Sequence, residues 1–290
     1  MATVYIAPTA QGSADGTSAA NAYAYSSLST AEADAGAGGT ILFTDGDYDI
    51  SSNQIWTNAG TSGTSGNDMT YKSLNPQGAV IKSNTSGTLR TLYAAYSGYT
   101  NAISVQNFKF IDINFYFHNT TGGEISGNLI TTSTAVALSG TSGFLRASTS
   151  STGTTKFINN SIHFQYSSGT YFENSIGKLA EFSGNTIYIS SLNGKTGPVV
   201  FSYSAARDLR ICPIVKNNIF ATDDTTGVVL DTGSSLSGSF NNCCFHQFDD
   251  SNNASGGTDN VFADPQFVDP TTDDLRLRPS SPCINAGTAS

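Results

Sequence analysis

The sequence predicts an all-β solenoid, a chain wound into stacked coils, and three observations carry that expectation. A short phrase recurs, the composition suits strands and tight turns, and the two ends are unlike the repeats between them. The phrase is a small residue or Asn, an Asn, then alternating apolar residues. It reads SGNLITT around Asn128, FINNSIHF around Asn160, FSGNTIYI around Asn185, VKNNIFAT around Asn218 and FNNCCFHQF around Asn242. The second Asn of each phrase recurs at intervals of 32, 25, 33 and 24 residues, a period that marks stacked supersecondary units. After it the apolar residues alternate, as in Ile162 and Phe164 or Ile187 and Ile189, which is the period of a half-buried strand. Asn tolerates the left-handed backbone and bonds neighbouring peptide groups, so it suits the corner between strands. Equivalent Asn residues are expected to stack as a hydrogen-bonded ladder from coil to coil.

Composition supports the same class. The 290 residues are 38% hydrophobic but only 12% charged, with Ser, Thr, Asn and Gly filling the gap. That mixture suits strands and turns and suits long helices poorly. Disorder is excluded by 17 Phe and 13 Tyr. A net charge of −9 argues against nucleic acid or an anionic membrane as partner. No run approaches the roughly eighteen apolar residues of a membrane span. The start, MATVYIAPTAQG, has neither a basic nor an apolar signal region. The protein is therefore expected to be used without the secretory route, or to lack a signal already removed. Cys212, Cys243, Cys244 and Cys283 show no metal-ligand spacing, and free, partly buried thiols are expected.

One continuous domain in three stretches is expected. Residues 1–50 supply the strand VYIAP, a short Ala-rich helix capped by Ser29 or Thr30 and ended by Gly36, Gly38 and Gly39, and the strand TILF. Such a module covers the open end of the first coil. Residues 51–260 are the coils, with loop insertions near 57–67, 139–155 and 191–212, where solenoids tend to place binding or catalysis. Within them ISVQNFKFIDINFYF is dense in aromatic and branched residues, and Phe108, Phe110 and Phe115 are expected to stack on like residues of adjacent coils. Phe157, Ile162, Phe182, Ile187 and Phe245 are expected to point inward too. Residues 261–290 form an irregular cap. Pro265, Pro270, Pro279 and Pro282 keep it at an edge. Leu275 and Leu277 face in and Arg276 and Arg278 face out, blocking edge pairing.

The opening (GSADGTSAANAY, then GGTILFTDGDYDI) and the closing (DPQFVDP…LRLRPSSPCINAG) together resemble the right-handed parallel β-helix superfamily, in its pectin-lyase-like branch. The resemblance implies a single-stranded right-handed parallel β-helix with a short N-terminal capping helix. It does not imply one activity, because lyases, hydrolases, adhesins and viral tail spikes share that fold. The enzyme motifs of the superfamily mostly fail here. RDLRICP has Arg207 and Arg210 but Pro213 out of place, and of the hydrolase motifs only Asp223-Asp224 is present, in a turn-like ATDDTTG.

Candidate chemistry has two readings at each place. Arg207, Asp208, Arg210 and Lys216 form the one basic cluster outside the cap and follow an insertion. They read as the base and cation of a lyase acting on an acidic sugar, or as an outward turn with a local ion pair. Asp45, Asp47 and Asp49, or Asp223 and Asp231, read as hydrolase carboxylates or as turn residues. His118, His163 and His246 are expected at surface or ladder positions. Tyr93, Tyr96 and Tyr99 in LYAAYSGYT, with Trp56 before a loop, offer rings for sugar faces or pack under loops. The missing signal, the chain of coils plus caps and the incomplete catalytic set favour a virion-associated glycan-recognising β-helix, resembling phage tail spikes or fibres. Its expected partners are a polysaccharide or host surface glycan and other virion proteins, and such spikes imply a homotrimer. The alternatives are a secreted polysaccharide lyase or glycoside hydrolase, and a bacterial surface adhesin. No metal or cofactor is expected; calcium enters only if the chain is a lyase.

Overall fold

The computed structural model describes residues 2–56, 68–94, 101–117, 120–134, 136–137, 145–147, 155–168, 170–173, 179–191, 199–202, 214–223, 227–230, 240–249 and 257–288. The chain is an all-β parallel β-helix, and its contacts fall into two compact units. The first comprises Met1–Leu129 and Ala147–Lys156; the second comprises Ile130–Arg146 and Phe157–Ser290.

In the first unit the strands Thr3–Ala7, Thr40–Phe43, Met69–Ser73 and Asn101–Gln106 pair in parallel in one sheet. Gly46–Ile50, Ala79–Ser83 and Lys109–Ile111 form a second, and Gln54–Trp56, Arg90–Ala94 and Ile113–Phe117 a third. The α-helix Leu28–Ala35 starts earlier than expected, because a 3-10 turn over Tyr25–Ser27 leads into it, and neither Ser29 nor Thr30 caps it. It ends at Gly36, whose φ of 69° favours glycine. Its buried Glu32 accepts a hydrogen bond from the Tyr71 hydroxyl at 2.7 Å. Phe108, Phe110 and Phe115 are buried; they meet one another around a single coil, and of the three Phe108 also meets a phenylalanine of another coil, Phe43, edge-on at 5.0 Å.

In the second unit Ser161–Ser168, Thr186–Ser191, Ile219–Thr222, Cys244–His246 and Val261–Phe262 make a parallel sheet with direct register. Ile162 stands beside Ile187, Ile187 beside Phe220, and Phe220 beside Phe245. These four, with Phe157 and Phe182, are buried, so the inward face is the one the alternation predicts. Phe157 and Phe182 stack at 5.4 Å, and Phe220 and Phe245 at 5.4 Å.

The Asn ladder exists, with one correction. The Oδ1 of each rung accepts the backbone N–H of the rung before it: Asn185 from Asn160 at 3.0 Å and Asn218 from Asn185 at 2.9 Å. Asn160 and Asn185 also donate their side-chain amides to the next rung, each at 3.1 Å. Asn128 accepts from Phe108 N in the same way, at 2.9 Å. The residue before each rung is left-handed: Gly127, Asn159, Gly184 and Asn217 have φ between 55° and 66°. In the last phrase Asn242 takes that left-handed place, with φ 52°, so Cys243 is the rung. Its backbone N–H donates to Asn260 Oδ1 at 2.9 Å, and its thiol, in contact with Asn218 Nδ2, fills the place of an amide. Burial pushes that thiol up to about 11, so it stays protonated and unreactive.

Two further corrections concern cysteines and the C-terminal segment. Cys244 and Cys283 are joined in a disulfide, not free, and Cys243 is the free one; Cys212 lies outside the described residues. Neighbours on a strand face opposite ways, which is why Cys244 points out to meet Cys283 while Cys243 points in. The residues from Phe267 to Cys283 lie along the outer face of the sheet. Leu275 faces it, Arg276 and Arg278 face solvent as expected, and Phe267 and Leu275 bury the outward Ala221 with Tyr188 and Ile219. The disulfide closes a separation of 39 residues. Cys283→Ser is expected to cost about 2–4 kcal/mol. Dithiothreitol should lower the melting temperature of the wild type and leave that of Cys283→Ser unchanged. An equal response in both would place the stabilisation elsewhere.

Candidate functional site

On the strands of the second unit every residue next to an inward one points out. The register puts His163 beside Tyr188, Tyr188 beside Ala221, and Ala221 beside His246, so these four form one outward row. The C-terminal segment crosses this row. Phe267 meets the Tyr188 ring edge-on at 5.7 Å, and Arg278 fastens it by donating from Nε to the Phe267 carbonyl at 3.1 Å and from Nη2 to that of Val268 at 3.0 Å.

Between the segment and the sheet opens a cleft of about 400 Å³, within the size range of small-ligand sites. Tyr188 and Phe267 give it an aromatic wall; Asp223, Asp264, His246, Gln247, Gln266 and Arg278 supply polar groups. Asp264 accepts the Gln266 backbone N–H at 2.8 Å, and Gln266 accepts from Ser280 Oγ at 2.6 Å, so both side chains are held. Burial pushes the Tyr188 phenol up to about 12, with the charges of Asp223 and Asp264 adding to it. It is thus a neutral donor at any physiological pH. Acceptor carboxylates, amides, one guanidinium and a ring edge within one cleft match a ligand that carries hydroxyls on an otherwise apolar ring.

A smaller aromatic surface lies on the third sheet of the first unit. Ile55, Tyr93 and Tyr116 are register neighbours, and Tyr93 meets Tyr116 edge-on at 5.5 Å. Ile55 is 43% exposed.

The expected site residues separate as follows. Tyr93 is outward and half-buried; Tyr96 and Tyr99 lie outside the described residues. Trp56 is not a sugar platform: it is 0% exposed, stacked on Tyr71 at 4.7 Å and packed against Phe43 and Phe108. Its strand, Gln54–Trp56, turns Ile55 out and Trp56 in, and the largest ring fills the core. Arg207, Asp208 and Arg210 lie outside the described residues. Lys216 is half-buried on Val215–Lys216, between Ser183 and Asn241 of neighbouring coils. Asp47 and Asp49 are held by Lys82 at 2.6 and 3.6 Å and Asp45 accepts from Asn75 at 2.9 Å, an exposed network of turn and edge residues. Asp223 reaches the cleft, whereas Asp224, Asp231 and His118 lie outside the described residues. His163 is neither surface nor ladder; it is buried beneath the C-terminal segment. Sequence reasoning missed Tyr188, Asp264 and Arg278. The alternation around Ile187 and Ile189 marks Tyr188 as outward, but nothing local says that residues almost eighty positions later cover it.

Among the described residues no group of three His, Cys, Asp or Glu side chains is placed to hold a metal ion, and no helix is long and apolar enough to cross a membrane. No protein-family model matches the sequence, and no curated protein does. Among solved structures the chain is similar to a pectate lyase, Pel9A, at 14% identity and a TM-score of 0.37, over 100% of this chain and 92% of that one. On its own strand pairing, the chain is a parallel β-helix whose C-terminal segment is fastened along one outer face.

Proposed function

We propose that this protein is a glycan-binding β-helix whose principal site is the cleft lined by Tyr188, Asp223, His246, Asp264 and Arg278. The observation that carries the reading is the combination, in one cleft, of an aromatic wall with fixed acceptors and a donor phenol. The Ile55, Tyr93 and Tyr116 face of the first unit is a separate candidate surface for a sugar ring. Display on a virion is the setting suggested by the tail-spike resemblance, with host surface polysaccharide as ligand. The disulfide favours a place outside the reducing cytosol, which a released particle and a secreted protein both occupy.

The test titrates the purified protein with bacterial surface polysaccharides and with acidic plant or algal polymers. Tyr188→Ala is expected to weaken binding by the ~0.5–1.5 kcal/mol of a ring contact, roughly two- to twelvefold in affinity. Melting curves distinguish lost binding from lost folding, since Tyr188 also supports Phe267. Unchanged affinity in Tyr188→Ala would remove the cleft from the reading. New unsaturated or reducing ends would make the protein a lyase or hydrolase instead.

A further inference from the structure

Beside the cleft, three residues from distant parts of the chain form a connected polar chain. The Asp273 carboxylate lies 2.7 Å from His163 Nδ1, and His163 Nε2 lies 3.2 Å from Ser190 Oγ. We propose that Ser190, His163 and Asp273 form a hydrolytic relay that cleaves O-acyl esters, with acylated sugars held in the neighbouring cleft as substrates.

The chemistry follows from what each atom can do. An ionised carboxylate only accepts, so Nδ1 carries the imidazole proton and Nε2 presents its lone pair to the Ser190 hydroxyl. Asp273 is the positioning residue. It is held by the Thr131 hydroxyl, which donates to the same Oδ1 at 3.0 Å, and by its own left-handed backbone (φ 64°) after the 3-10 turn Pro270–Thr272. The His163 side chain is 5% exposed and its ring lies 5.2 Å from that of Tyr188, so the ring is held in place between its neighbours. A tether for the C-terminal segment needs only the bond between Asp273 and His163. The hydroxyl on the far ring nitrogen adds a nucleophile.

Ser190 is half-buried, and its Oγ also donates to the Phe164 carbonyl at 3.3 Å, so its proton has a second resting acceptor. The register pairs Ser190 with Gln165, whose side-chain amide bonds no other described residue and is available to a developing oxyanion. The pairing of Ile189 with Thr222 brings Ser190 next in line with Asp223, at the cleft.

In the reaction Ser190 Oγ attacks the ester carbonyl carbon while Nε2 takes its proton. The bond from that carbon to the alkoxy oxygen breaks, and the imidazolium returns the proton to the departing sugar oxygen. Water then attacks the acyl-serine, Nε2 again takes the proton and gives it back to Ser190, and a free carboxylic acid leaves. Ester and water become alcohol and acid, with no other reactant.

The choice of substrate rests on the glycan reading; the relay does not. The experiment exposes the full chain to a fluorophosphonate probe, maps the modified residue by mass spectrometry, and follows hydrolysis of 4-nitrophenyl acetate. Phosphonylation at Ser190 is expected, together with hydrolysis that falls about a thousandfold, or to the buffer rate, in Ser190→Ala. Asp273→Asn should slow hydrolysis with KM unchanged, because the ring then loses its tautomer preference. No phosphonylation of folded wild-type protein, or equal hydrolysis in Ser190→Ala, overturns the relay. Polysaccharide binding by the wild type is measured separately. Binding without phosphonylation removes the relay alone, and phosphonylation without binding removes only the glycan substrate.

Discussion

Ile187→Asp unfolds the coils around it. Ile187 is fully buried, between Ile162 of one coil and Phe220 of the next, with no polar partner in that column. Burying an unpaired carboxylate there costs several kcal/mol, comparable with the roughly 5–15 kcal/mol that holds an ordinary domain together. Coils are stabilised chiefly by their neighbours, so the loss spreads along the stack. Ile187→Val, which removes one methylene, should cost only about 0.5–1.5 kcal/mol. Circular dichroism melting of both variants checks this. A melting temperature for Ile187→Asp within a degree or two of wild type would show that the inward face is wrong.

The second large effect is expected at Asn185, which serves four groups at once. Its Oδ1 accepts from the Asn160 backbone and amide, and its Nδ2 donates to the Phe157 carbonyl and to Asn218 Oδ1. Asn185→Ala removes all four bonds, at about 1 kcal/mol each, for a total of roughly 4 kcal/mol. Asn185→Asp keeps the acceptor but removes the donor and buries a charge, so it should rescue little. Cys243→Asn is expected to be neutral or stabilising, because it restores an amide rung beside Asn218. Equal melting temperatures for wild type and Asn185→Ala would mean that the ladder is incidental to the fold.

Local patterns were enough where the physics is local. Alternation around Ile162, Ile187 and Phe245 fixes which side chains face in, because successive residues of a strand must face opposite ways. The Asn phrases mark the corners, because the left-handed turn there suits Asn and Gly, and four of the five rungs are read correctly. The fifth is one residue off, at Cys243, since two consecutive Asn residues can be matched to left-handed and rung positions in more than one way. Trp56 is misjudged for a related reason. A strand of only three residues does not show its face, and only the space left by Phe43, Tyr71 and Phe108 draws the ring inside.

The sequence alone determined the class of the protein: β strands of period two, Asn corners at a repeating interval, and two unlike ends compel stacked parallel coils. Only the tertiary structure decided what the C-terminal segment does. The disulfide from Cys283 to Cys244 and the bond from Asp273 to His163 fasten it along an outer face. The cleft at Tyr188 and the relay at Ser190 arise from that placement. Their residues lie up to 110 positions apart, from His163 to Asp273, and no short-range periodicity reports a contact made across such a distance.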